Sequence, residues 1–130
     1  MKPPLFFVLL ISIFLSCPPP SPKVESVLSL APPTDVGLHC ESDSCLITWR
    51  ASRHEDLEEF AGYRIYISKT SLIFVSPNEL LKPLTAEKDQ KRIKIAKPEN
   101  AAFVHLRSFT SDGKISLPSL PELKIENNKE

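Results

Sequence analysis

Two short runs on either side of a polar break constrain this chain more than any other feature. Val36, Leu38 and Cys40 alternate with other residues before Glu41-Ser42-Asp43-Ser44, and Cys45, Ile47 and Trp49 alternate after it. Successive side chains of a strand point to opposite faces, so a period of two puts each trio on one face. A break made of turn formers folds the two runs back on each other. The expected unit is a β-hairpin with both cysteines on its apolar face, near each other across the turn. A Cys40–Cys45 disulfide would close a short loop, so its stabilisation belongs toward the lower end of roughly 2–4 kcal/mol. As a zinc site the pair is poor, because His39 falls on the opposite face and no tetrahedral set forms. No metal is expected.

The same period recurs down the chain. In 60–68, Tyr63, Ile65 and Ile67 share one face, and Arg64, Tyr66 and Ser68 the other. Ser71–Ser76 is a short apolar run of strand formers. Ile93 and Ile95 alternate with Arg92 and Lys94, and Val104 and Leu106 alternate with His105, which points outward on this pattern. Residues 115–125 stay apolar but carry Pro118 and Pro121, so the last strand should be an edge or be broken. Only 78–90 has a helical flavour, at Glu79-Leu80-Leu81, and Pro83 stops it. Six or seven short strands in 34–130 indicate an all-β, two-sheet sandwich. Its core is expected around Trp49, Tyr63, Ile65, Val104 and Leu106.

From Ala31 to Ile125 the chain also resembles a known family. Pro32-Pro33 opens it, and Leu46-Ile47-Thr48-Trp49 ends a second strand in a tryptophan. Gly62-Tyr63-Arg64-Ile65-Tyr66 follows a polar loop. Val104-His105-Leu106-Arg107-Ser108, then Ser111-Asp112-Gly113-Lys114 and Pro118-Ser119, complete the order. This is similar to a fibronectin type III domain. The resemblance implies an immunoglobulin-like sandwich of about seven strands and a non-catalytic binding module for a protein or glycan partner. Ala102 stands where the family often has a corner tyrosine, which implies loss of that buried hydroxyl bond. No Arg-Gly-Asp tripeptide is present, so the family's best-known adhesion mode is not implied.

The N-terminal end has a different character. Lys2 precedes Leu5–Leu15, an apolar run interrupted only by Ser12. As a helix it would span roughly 16 Å, about half a bilayer core, so it reads as a secretory signal and not a stable span. Ile13-Phe14-Leu15-Ser16-Cys17 resembles the lipobox of bacterial lipoproteins, with Phe14 and Leu15 departing from the usual residues. The resemblance implies cleavage of residues 1–16, a lipidated Cys17, and a membrane-anchored place in the cell envelope, at the outer membrane or cell surface. Residues 17–33 hold Pro18, Pro19, Pro20, Pro22, Pro32 and Pro33 and read as a tether of up to roughly 45 Å. The domain is then 34–130. An exported chain meets an oxidising compartment, where the Cys40–Cys45 bridge can persist.

Composition excludes other classes. Sixteen basic residues balance sixteen acidic ones, which does not suggest a nucleic-acid binder. An apolar share of 42% is too high for a disordered chain. Gly37, Gly62 and Gly113 lie too far apart for a phosphate loop, and no Gly-x-Ser-x-Gly elbow occurs. His39, His54 and His105 fall on separate elements, so neither an enzyme nor a cofactor is expected. His54, Glu55, Asp56, Glu58 and Glu59 match neither a His-Glu-x-x-His site nor a calcium loop, and read as a solvated acidic turn. Lys88, Lys91, Arg92, Lys94 and Lys97 form a basic stretch. Arg92 and Lys94 could contact a polyanion, or simply guard a solvated strand against aggregation. Beside the binding module stands a second reading, a structural component of a periplasmic or outer-membrane complex with no external ligand.

Overall fold

The structure, a computed structural model, describes residues 30–76 and 82–127. The signal run, Cys17, most of the tether and Glu79-Leu80-Leu81 lie outside the described residues.

Seven strands follow in order: β1 (Thr34–Cys40), β2 (Ser44–Arg50), β3 (Phe60–Ser68), β4 (Leu84–Glu87), β5 (Arg92–Ala96), β6 (Ala102–Thr110) and β7 (Leu123–Ile125). They form two antiparallel sheets, ordered β1-β2-β5 and β4-β3-β6-β7. The hairpin read from the sequence is β1–β2, with Cys40 opposite Cys45 in register and joined to it by a disulfide.

The inward faces meet as the alternation requires. Cys45, Ile47 and Trp49 of β2 pack against Phe60, Tyr63 and Ile65 of β3, with Ala86, Val104, Leu106 and Ile125. Trp49 meets Tyr63 edge-on at 5.6 Å between ring centroids, and Phe60 meets Tyr63 at 5.3 Å. The Trp49 indole N–H is buried and has no hydrogen-bond partner among the described residues. Gly62 lets β3 and β4 approach closely, since a Cβ there would stand 2.2 Å from the Ala86 carbonyl oxygen.

Two readings need correction, and two others gain detail. Ser71–Ser76 is a turn and not a strand: Val75 N donates to Leu72 O, and of its apolar residues only Leu72 is buried. Within 78–90, residues 84–87 form the edge strand β4, whose one buried side chain, Ala86, gives no apolar alternation to read. The 115–125 stretch is broken as expected: Ile115 makes a single bridge to Phe109, and β7 begins only at Leu123. Finally, residues just ahead of β1 already pack on the sandwich. Leu30 belongs to the core cluster, and Ser52 Oγ donates to Ala31 O at 2.6 Å.

Candidate functional site

The outer face of the four-stranded sheet holds the densest polar chemistry. On β6, Val104 and Leu106 face the core, which sends His105 and Arg107 to the other side. That side was expected to be solvated. Instead His105 is 1% and Arg107 2% exposed, because the chain folds over them.

Two irregular segments provide the cover. Residues 115–122 run along β6 in the place of a strand that Pro118 and Pro121 interrupt. Ser116 and Ser119 replace the missing ladder. Their amides donate to Ser108 O at 2.9 Å and Leu106 O at 2.8 Å. Their hydroxyls accept from Ser108 N at 2.9 Å and Leu106 N at 3.0 Å. A short side-chain oxygen thus does the work of a backbone carbonyl beside a residue that has no N–H. The second segment, 71–76, is held by buried ions. Arg107 donates through Nη1 to Ser116 O at 3.1 Å and through Nη2 to Val75 O at 3.3 Å. Glu122 accepts from Leu72 N at 3.1 Å and from the Ser71 hydroxyl.

His105 links these groups. Arg107 Nε lies 3.2 Å from His105 Nε2, and Glu122 Oε2 lies 3.4 Å from Nδ1. The Tyr66 ring tilts against the imidazole at 5.2 Å. Burial holds His105 below the ordinary histidine range, the Arg107 charge adds to that, and Glu122 works against it. Both ring nitrogens are engaged by charged partners. Neither accepts a serine proton here: Ser108, whose Oγ is buried without a partner among the described residues, alternates to the opposite face with Val104 and Leu106. The arrangement clamps two loops and contains no activated nucleophile.

A second polar cluster closes the end of the sandwich where β2 leads into β3. Ser52 N donates to Tyr63 Oη at 3.0 Å, and Tyr63 Oη donates to Glu55. Lys91 Nζ reaches Glu55 at 2.9 Å, and Ala31 N donates to His54 Nδ1 at 2.9 Å. Burial and the neighbouring Glu55 push the Tyr63 phenol well above its usual range. His54 and Glu55 therefore serve as posts for the loop. Asp56 and Glu58 are exposed, and among the described residues no three His, Cys, Asp or Glu gather as a metal would need.

Arg92 and Lys94 project from the outer face of edge strand β5, opposite Thr48 and Leu46 of β2, and both are exposed. His39 stands in the same cross-strand row as Leu46 and Lys94. Arg50 on this face is paired with Asp35 at 3.2 Å. The site residues thus divide. Trp49, Tyr63, Ile65, Val104 and Leu106 meet in the core, and Arg92 and Lys94 stand apart on the opposite sheet. Sequence reasoning missed the clamp of His105, Arg107 and Glu122. The signal available was a histidine and an arginine two apart in an apolar strand, followed by a run that supplies serines between prolines.

No family model matches the chain, and no curated protein matches it. Solved structures do. The spore cortex lytic enzyme SleM of Clostridium perfringens is 16% identical over 78% of this chain and 31% of its own, with a TM-score of 0.54. The central fibronectin-III array of RIM-binding protein is 17% identical over 77% of this chain and 36% of its own, at 0.56. A fibronectin type III domain of human collagen XX is 13% identical over 76% of this chain and 93% of its own, at 0.53. The chain spans about a third of the length of the first two. The fold is therefore that of a fibronectin type III-like domain.

Proposed function

We propose that this chain is a lipid-anchored cell-envelope protein whose fibronectin type III-like domain is a non-catalytic binding module for a protein or glycan partner. The observation that carries the anchoring is the division of the cysteines. The Cys40–Cys45 bridge takes two of three. Cys17 is left, directly behind an apolar run and a small residue. A bridge of this kind persists in the compartments that exported chains reach. The binding role is supported by the fold class and by the exposed sheet surface that carries Arg92 and Lys94.

The test is the mature N-terminus. Mass spectrometry of protein from an exporting bacterial host should find a chain that begins at an acylated Cys17. Cys17→Ala should lose fatty-acid label and leave the membrane fraction. A mature chain that retains residues 1–16, or begins beyond Cys17, overturns the reading. For the partner, cross-linking and pulldown of the anchored protein should recover one stoichiometric component, and elution from heparin at low salt would end the role assigned to Arg92 and Lys94.

A further inference from the structure

We propose that the domain lies on the membrane through an apolar edge led by Phe74 and Leu120, so that its occupant is a lipid surface. Phe74 is 97% exposed, Leu120 71% and Leu117 43%. They are three of the five large hydrophobic side chains left exposed among the described residues. All three sit on the two segments that cover β6, and those segments run side by side. Glu122 holds Ser71 and Leu72 at one end, and Arg107 holds Val75 and Ser116 at the other. Neither 71–76 nor 115–121 carries a charge.

The clamp ties down the turn that carries Phe74. Leu72 is buried beneath the turn, and the backbone on both sides of Phe74 is tied to buried ions. An aromatic ring held out in water on a fixed turn loses little conformational entropy when it enters an apolar medium. The chain itself argues for lipid as that medium. The segment that joins the domain to Cys17 enters at Leu30, which lines the same depression as Leu117, Thr34, Ala51 and the exposed Arg53. The tether thus arrives at the apolar edge. Between Cys17 and Leu30 it has room for roughly 40 Å at most, which keeps that edge at high effective concentration near a bilayer. Area argues against a second copy. Three such side chains bury on the order of 150–200 Å² each at most, short of roughly 800 Å² per partner. The cations Arg92, Lys94 and Arg50 stand on the other sheet. They would face away from the bilayer, toward any partner.

This inference rests on the anchoring reading, and its test separates the two. Full-length protein, processed in an exporting host, is reconstituted into phosphatidylethanolamine–phosphatidylglycerol vesicles with brominated acyl chains. Phe74→Trp is compared with Lys94→Trp, with buried Trp49 as a common background. The Phe74→Trp emission should move to shorter wavelength and be quenched by the bromines, while Lys94→Trp stays water-like and unquenched. An unquenched Phe74→Trp overturns the inference. So does a blue shift that appears without vesicles and grows with protein concentration, which would mean a second copy. If mass spectrometry finds no acyl group on Cys17, its thiol is coupled to a maleimide headgroup lipid instead. Quenching then still decides the membrane contact while the anchoring reading falls by itself.

Discussion

Arg107 aims its Nε–H at Nε2 of His105 across 3.2 Å, so this nitrogen of the imidazole can only accept. The ring is thereby fixed as the neutral tautomer with its proton on Nδ1, toward Glu122 at 3.4 Å. A second proton would have to occupy the nitrogen that Arg107 already fills.

Stability should therefore fall on acidification. Burial, with the Arg107 charge, lowers the His105 pKa in the folded chain, while an unfolded histidine takes its proton at about pH 6.5. Between those two values the unfolded state binds more protons, so the contribution is complete above about 6.5 and is lost as pH falls toward the folded value. Urea midpoints taken between about pH 7.5 and about pH 5.5 should drop in the native chain and drop less in His105→Gln. Equal slopes would remove His105 from the account.

Gly62→Ala should destabilise by about 1–3 kcal/mol or more, because overpacking meets backbone and not a movable side chain. The added Cβ would stand 2.2 Å from the Ala86 carbonyl oxygen, so β4 must move or leave. Gly113→Ala is the contrast. It meets nothing within 4 Å, and only its φ of 94° opposes a side chain. Its cost should be nearer 1–2 kcal/mol. Chemical denaturation of both variants checks the ranking.

Trp49→Ala should leave the domain largely unfolded, since replacing a buried tryptophan by alanine costs about 3–5 kcal/mol. Trp49→Phe should be far milder than its lost volume suggests. It keeps the ring contact with Tyr63 and removes an indole N–H that is buried without a partner, a group whose burial costs about 1–3 kcal/mol. A cooperative melt of Trp49→Ala near the native temperature would contradict the first expectation.

Replacing Cys40 and Cys45 together by alanine should cost about 2 kcal/mol, the chain-entropy value for so short a loop. The hairpin should survive in the folded state, because four further register pairs hold β1 to β2. Urea unfolding with and without reductant measures the difference, which should vanish in the double variant.

The sheets were legible where one face is buried and the other wet. Val36 to Trp49 and Ile93 to Ile95 alternate because the outward side chains between them meet solvent. Legibility ended where that condition failed. Both faces of β6 are covered, so His105 and Arg107 look like solvent-facing residues in the sequence although they are buried. At Ser71–Ser76 the apolar run follows a turn that buries Leu72 and exposes Phe74, and composition cannot separate that from a strand. β4 is short and single-sided, and its pairing depends on Gly62 lying opposite Glu87, 25 residues away in sequence. Likewise, nothing local shows that Leu30 joins the core. That depends on where the β2–β3 loop places Ser52 and His54.

The closed hairpin at the start of the sandwich has a practical consequence. Glu41, Ser42 and Asp43 are exposed at a tip with a covalent bond directly beneath it. β1 runs from the Leu30 end toward this tip, so the tip lies at the far pole from the point where the tether enters. An epitope or fluorophore inserted after Ser42 would lengthen a loop whose ends the sulfur atoms already pin together. It would report on the domain from the pole opposite Leu30, leaving the clamp around His105 untouched.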